Sequence, residues 1–296
     1  MEIIFAGTSE FATPSLKRLA RNYPIRAVFT LPAKPKGRHL KLQDTPVAIL
    51  GKELSLTVFE QDNIPSNYVK GADLLITVSF GRILRPEVIT APRFGSINLH
   101  PSLLPKYRGP APIPWTIIQG EKETGLTVYW MDEGVDSGPI ILQERVDISE
   151  EDDAGSLSSK LAEIGAEVLL KAMKMIAAEP KSQEGEPSYA PKIETREIDW
   201  KRKNTEITNL IRGLSPHPSA YTHYGTERIK ILKSVCLSQS GPPGEILSAQ
   251  KDGLIVGCTE GSLLITSLHP ENRKVVPAIS WWCGVKNKNL YFNRSA

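Results

Sequence analysis

Apolar positions in the first half of the chain fall into short runs: EIIFAG (2–7), IRAVFT (25–30), LTVFE (56–60), DLLITVS (73–79) and GSINLH (95–100). Bounded by turn residues and rich in β-branched types, such runs predict strands. Between them TPSLKRLARN (13–22), TPVAILGKEL (45–54) and PEVITA (86–91) are candidate helices. Strands alternating with helices predict βαβ units and a parallel sheet covered on both faces. TGLTVYWM (124–131) and PIILQERV (139–146) predict two more strands, joined by the turn-rich DEGVDSG (132–138). The period then changes. In residues 154–179, Leu157, Leu161, Ile164, Val168, Met175 and Ile176 recur at helical spacing, a stripe expected to face a core. Residues 180–200, rich in Pro, Glu, Ser and Lys, have the composition of a linker. Beyond it TEITNLIRGLSPHPS supplies a short helix and a proline stop, and AYTHY, RIKILKSVCL, GEILSA, GLIVGC and SLLITSLH follow at close spacing. Short strands with Gly and Pro between them suggest a small barrel. The expected fold is α/β: an N-terminal Rossmann-like, doubly wound, mostly parallel sheet over residues 1–180, a linker over 181–200, and a C-terminal β-barrel domain over 201–296.

Composition narrows the class. The chain has 296 residues, 40% hydrophobic and 23% charged, which fits a folded globular protein of one large or two ordinary domains. MEIIFAGTSEF lacks the basic segment of a signal peptide, and no window approaches the roughly 18–20 apolar residues of a membrane helix. Cys236, Cys258 and Cys283 form no CxxC pair and the five His are scattered, so no metal site is expected. Three unpaired cysteines suit a reducing, cytoplasmic setting. The net charge of +3 is unevenly spread: residues 197–296 hold 13 Lys+Arg against 8 Asp+Glu, and the rest hold 23 against 25. That imbalance is compatible with a polyanionic partner and equally with ordinary surface variation.

Candidate chemistry centres on GSINLHPSLLPKYRGPAP (95–112). GTSEF (7–11), after the first strand, has one glycine of a dinucleotide fingerprint and no GK[ST] pair, which argues against a nicotinamide dehydrogenase or an NTPase. Asn98 and His100 are two apart on a predicted strand, so both side chains lie on one face at its C-terminal end, the edge where open α/β sheets bind ligands. Imidazole can exchange a proton at neutral pH, and a carboxamide can donate to a developing oxyanion. Asp136, in the Gly-rich loop between two predicted strands, offers a carboxylate; Asp132 and Glu133 read as a solvated turn edge. Ser102 is not in a nucleophile elbow. An Asn-His-Asp group without a Ser or Cys nucleophile suits transfer to an amine that is itself the nucleophile.

The run from Gly95 to Ile141 resembles the core of the folate-dependent formyltransferases. In that family an Asn-x-His pair, an SLLP loop and a downstream Asp carry formyl transfer from 10-formyltetrahydrofolate. The resemblance implies Asn98, His100 and Asp136 as the catalytic trio. It implies Ser102, Leu103, Leu104 and Pro105, with Arg82, Ile83 and Leu84 of FGRIL, as the folate-binding set. MEIIFAGTSEFATPSL, TLPAKPKGRHLKLQDTPV and LIRGLSPHPSAYTHY are similar to the branch that formylates methionyl-initiator tRNA, whose C-terminal domain is an OB-like barrel that helps hold tRNA. The closing RKVVPAISWWCGVKNKNLYF matches only loosely. The resemblance further implies that PAKPKGRHLKL (32–42), a basic loop expected to protrude without secondary structure, reaches the tRNA through Lys36, Arg38, His39 and Lys41. Arg212 and Lys230 would extend that basic track. A monomer is expected. Competing readings are a formyltransferase acting on a sugar-nucleotide or ribotide amine, a hydrolase of the same donor, and a non-enzymatic RNA-binding protein on the same body. Trp281 and Trp282 are assigned to core packing in preference to base stacking.

Overall fold

The computed structural model describes residues 1–36, 41–286 and 289–292. The chain forms two compact units. The first comprises Met1–Pro112, Glu123–Asp147 and Ser158–Pro191; the second comprises Ile113–Lys122, Ile148–Leu157 and Lys192–Ala296.

The first part of the chain carries β1 (Ile3–Gly7), α1 (Thr13–Asn22), β2 (Ile25–Thr30), β3 (Lys34–Lys36), β4 (Lys41–Gln43), α2 (Pro46–Glu53) and β5 (Val58–Glu60). It continues with α3 (Ser66–Val69), β6 (Leu74–Val78), α4 (Pro86–Ile89) and β7 (Ser96–His100). After α5 (Pro112–Ile118) come β8 (Glu123–Trp130), β9 (Ile140–Asp147) and α6 (Ala154–Met173). One seven-stranded sheet runs β5-β2-β1-β6-β7-β8-β9. Pairings from β5 to β7 are parallel, and those of β7 with β8 and β8 with β9 are antiparallel. This is the mostly parallel, doubly wound sheet expected. Because β1 lies between β2 and β6, the chain winds outward in one direction and then crosses to the other side. Such a reversal opens a crevice at the carboxyl ends of the strands.

Alternation assigns the two faces of the sheet. Ile4, Ala6, Ala27, Phe29 and Leu75 share one core with Val88 and Ile89 of α4. On the other face, Gly165 lets α6 approach the sheet so closely that a Cβ there would lie 2.9 Å from Leu99 Cδ2 and 3.3 Å from Leu126 Cδ2. Helix α2 starts where Pro46 follows Thr45, whose Oγ1 accepts from the Ala48 amide at 3.0 Å, satisfying one of the unpaired donors of the first turn.

Two local expectations are corrected. Residues 34–36 and 41–43 pair as a small antiparallel ribbon, with Pro35 opposite Leu42, where a loop without secondary structure was expected. A two-stranded ribbon leaves each strand an unpaired side, so it tolerates the proline read as a breaker. Helix α6 ends at Met173, short of residue 179: Lys174 and Met175 donate to carbonyls three residues back, and Met175 is 39% exposed instead of facing a core. The expected linker also divides. Lys181 bridges to Ile140 and Tyr189 to Arg108 within the first unit, and the second unit resumes at Lys192.

The second unit carries α7 (Asn204–Leu214), β10 (Ala220–Tyr224), β11 (Glu227–Leu237), β12 (Ile246–Gln250), β13 (Gly253–Gly257), β14 (Ser262–Pro270), β15 (Val276–Pro277) and α8 (Ala278–Cys283). All strand pairings are antiparallel, in the order β10-β11-β14-β13-β12, with β15 added to β14. Ile207, Ile211 and Leu214 of α7 are buried in its core with Trp281 and Trp282, as expected for the tryptophans. The tail closes this core: Phe292 stacks on Trp200 and Trp281 with centroids 5.8 and 6.0 Å apart.

Burial pushes the Cys258 thiol up to about 12, whereas Cys283 is exposed. Thiolate is the reactive species, so a maleimide at pH 8 is expected to label Cys283 in the folded protein and Cys258 only after denaturation. Peptide mass spectrometry checks both sites.

Candidate active site

Strand β7 presents Ile97 and Leu99, buried at 0% and 1% exposure, to one side of the sheet. Asn98 and His100 therefore point to the other. Register places Thr77 of β6 beside Asn98, and Tyr129 of β8 opposite it. The three side chains form a polar row across adjacent strands. Thr77 Oγ1 donates to Asn98 Oδ1 at 2.7 Å, and Asn98 Nδ2 donates to the Tyr129 hydroxyl oxygen at 3.2 Å. The Tyr129 hydroxyl donates to Asp136 Oδ1 at 2.6 Å.

Asp136 reaches the row from the loop joining β8 and β9, at a backbone φ of 51°. The residue stands on close packing beneath it: a Cβ on Gly138 would fall 1.7 Å from the Trp130 carbonyl oxygen, so only glycine fits. Asp136 Oδ2 accepts from the Gly109 amide at 2.7 Å and lies 3.6 Å from His100 Nδ1. The other ring nitrogen, Nε2, is 2.9 Å from the Tyr107 carbonyl oxygen. A carbonyl can only accept, so Nε2 carries hydrogen and Nδ1 is the nitrogen turned to the carboxylate. The sequence reading of Asn98, His100 and Asp136 as neighbours thus corresponds to one connected cluster.

The segment after α6 braces this cluster. Gln183 Nε2 donates to the carbonyls of Asp136 and Gly138 at 2.9 and 2.8 Å, and its Oε1 accepts from Arg108 Nη2 at 2.6 Å. Ser188 Oγ accepts from the amide of Tyr107, the residue whose carbonyl meets His100. None of this was visible in a stretch whose composition spells linker. Thr77 and Tyr129 were also missed, although Thr77 is the one polar residue in LLITV and Tyr129 alternates with Thr127 on the strand beside β7.

Ser102 is fully buried and its hydroxyl donates to the Lys106 carbonyl at 2.6 Å. Thr127 Oγ1 accepts from the Leu104 amide and donates to the Ser102 carbonyl, and Gln143 donates to the Leu104 carbonyl, so the 102–105 loop is fastened to β8 and β9. Leu103 packs over Gly125. Leu84 belongs to the core with Val88, Ile83 is 86% exposed, and Arg82 Nε donates to Asp62 at 3.0 Å. In the second unit, Arg212 donates to the carbonyls of Asp152 and Ser149 at 2.9 and 2.8 Å, which commits its guanidinium to holding that turn. Lys230 lines a cavity of about 220 Å³ with Arg228 and His269. Lys36 and Lys41 are paired through their backbones, and Arg38 and His39 lie outside the described residues. Among the described residues no group of three or more His, Cys, Asp or Glu could hold a metal ion, and no helix is long and apolar enough to cross a membrane.

A site of this kind, an amide and an imidazole backed by a carboxylate at the rim of a doubly wound sheet, is suited to acyl transfer, and sequence comparison defines the class. Residues 1–173 match the family described as formyl transferase and residues 192–286 its C-terminal domain; the chain belongs to the formyl transferase family. Within it, the chain is 42% identical over 296 residues to the methionyl-tRNA formyltransferase of Thermodesulfovibrio yellowstonii, covering 96% of each chain. It is 42% identical over 290 residues to that of Caldanaerobacter subterraneus subsp. tengcongensis, covering 93% of this chain and 94% of the relative. Among solved structures, the sugar 3N-formyl transferase WlaRD, crystallised with dTDP and 5-N-formyl-THF, superposes with a TM-score of 0.70 at 21% identity. That match covers 93% of this chain and 99% of WlaRD, a likeness of fold.

Replacing Gln183 with Ala removes both donors that fix the 136–138 carbonyls. The expected cost is about 1–3 kcal/mol of stability, read from a urea denaturation midpoint, together with faster amide exchange across residues 134–138.

Proposed function

We propose that this protein transfers the formyl group of 10-formyltetrahydrofolate to the α-amino group of methionyl-tRNA, with the initiator tRNA as acceptor. It would act as a cytoplasmic monomer whose residues 201–296 contribute tRNA contacts. The observation that carries the reading is the cluster of Asn98, His100 and Asp136, joined through Tyr129, in a chain similar over nearly its full length to methionyl-tRNA formyltransferases.

The residues fit a folate donor. Asn98 spends one N–H on Tyr129, and its second has no partner among the described residues, so it is available to a carbonyl oxygen. The nearly fully exposed Ile83, in the loop between β6 and α4, and the half-exposed Val135 beside Asp136 offer apolar surface to a flat heterocycle. With its hydroxyl spent on Lys106, Ser102 would contribute backbone groups and not its side chain. When bound, the donor supplies an activated formyl carbon and a nitrogen leaving group.

In the mechanism we infer, the amine nitrogen bonds to the formyl carbon, negative charge gathers on the formyl oxygen, and the bond to the leaving nitrogen breaks. Asn98 donates to that oxygen through Nδ2. His100 joins it through Nδ1–H, which requires the cationic ring because Nε2–H is held by Tyr107; the carboxylate of Asp136 balances that charge. Asp136 accepts the proton lost by the amine and returns it to the leaving nitrogen, so no net proton is consumed. Because the acceptor amine is the nucleophile, the site needs no Ser or Cys.

Lys36, Arg38, His39 and Lys41, and Lys230 on the second unit, are the groups we assign to the tRNA backbone. Arg212, bound to its own carbonyls, would act there by holding its turn.

Purified protein given 10-formyltetrahydrofolate should place formyl groups on methionyl-initiator tRNA in preference to elongator tRNA. In His100→Ala the rate should fall by about 10²–10³-fold, the usual loss for one oxyanion donor. Formate release without acceptor would favour the hydrolase, and transfer to an amino sugar nucleotide the sugar branch. Binding of tRNA should weaken steeply between about 50 and 200 mM salt, with a log–log slope that grows by roughly 0.7–0.9 for every phosphate neutralised and is shallower in Arg38→Ala.

A further inference from the structure

We propose that Tyr129 is a positioning residue of this site: its single phenol oxygen holds the Asp136 carboxylate and the Asn98 amide in fixed relation to each other. The inference rests on the formyl-transfer reading of the cluster.

The hydrogen-bond polarity follows from one fact. An ionised carboxylate only accepts, so the 2.6 Å contact obliges Tyr129 to donate to Asp136 Oδ1. With its hydrogen spent, the phenol oxygen can only accept from Asn98, and the amide must therefore turn Nδ2 toward it. Asn98 Oδ1 then faces Thr77, whose hydroxyl must donate. The charge on Asp136 thus sets the direction of every bond in the row, including which end of the Asn98 amide meets a ligand.

Protonation of the phenol is secure. Tyr129 is 2% exposed, and burial together with the neighbouring Asp136 carboxylate pushes its hydroxyl well above the ordinary tyrosine range. Phenol and carboxylate are thus held as a donor–acceptor pair at neutral pH. The charged and titratable groups around this pair are His100 on β7, Asp132 on the loop, and Arg108 behind Gln183.

Plain packing does not account for the arrangement. A buried phenol needs a partner, but one acceptor would satisfy it. This phenol instead joins two side chains from different elements, a strand and a loop. With Oδ1 held by Tyr129 and Oδ2 by the Gly109 amide, the carboxylate cannot rotate about its Cβ–Cγ bond, and Oδ2 stays opposite His100 Nδ1.

The test is steady-state formyl transfer from 10-formyltetrahydrofolate to methionyl-tRNA by wild type, Tyr129→Phe, Asp136→Asn and the double variant, with Thr77→Val as a second break in the row. Tyr129→Phe keeps the ring and is expected to lower kcat about 10–100-fold, the scale of a misplaced reacting group, with both KM values within about twofold. In the Asp136→Asn background the same change should cost less than about twofold, because Tyr129 acts through that carboxylate. Thr77→Val should lower kcat in the same sense and by less. Wild-type kcat in Tyr129→Phe, a rise in KM alone, or a loss that multiplies with that of Asp136→Asn would each overturn the proposal. If Tyr129→Phe does not fold, as judged by circular dichroism, wild-type kcat in Thr77→Val overturns it. Full activity in Asp136→Asn would instead bring down the reading of the site itself, a result distinguishable from failure of the Tyr129 proposal alone.

Discussion

Strand β7 has to satisfy two different surroundings with alternate residues. Against α6 it must be apolar and tightly fitted, because Gly165 brings the helix almost onto Leu99. On the opposite face its neighbours in the sheet, β6 and β8, present Thr77 and Tyr129 at matching register. Ile97 and Leu99 meet the first demand, which leaves Asn98 and His100 no direction but the second. A slip of one residue would exchange the two sets and lose core and site together. The rigidity of the sheet is therefore also the accuracy of the site, the condition under which a preorganised donor contributes most to lowering a barrier.

The loops contribute what the sheet cannot. Asp136 and Tyr107 both have positive φ, at 51° and 60°. Such conformations cost energy in non-glycine residues and persist where the surroundings hold them. Here Gln183 and Ser188 do the holding, one at the carbonyls of the Asp136 loop and the other at the amide of Tyr107. The two loops at the cluster are braced by one short stretch of chain.

Much of this was legible in the sequence, for identifiable reasons. The sheet was readable because buried parallel strands are short apolar runs with helical segments between them. Asn98 and His100 stood out because polar residues two apart at the end of such a run must share a face, and Asp136 because a Gly-rich turn carried it. Tyr129 was hidden, since a tyrosine in TGLTVYWM fits a strand without further cause, and only the pairing of β8 with β7 shows what its hydroxyl meets. The pairing of residues 34–36 with 41–43 was hidden because a proline and a glycine outweigh two three-residue strands in any reading by composition. Residues 180–191 looked like a linker because their contribution lies in a few amide and hydroxyl contacts, which leave no apolar period.

That last segment bears on how the protein can be divided. Asn98, His100 and Asp136 all precede residue 137, and α6 ends at Met173, so a fragment ending near residue 180 would contain that whole cluster. It would lack Gln183 and Ser188, and with them the supports of both loops. The chemical module is thus longer than its chemistry. In a chimera or a circular permutant, a junction that keeps both supports lies after Pro191, the last residue of the first unit, and not where the composition first turns polar.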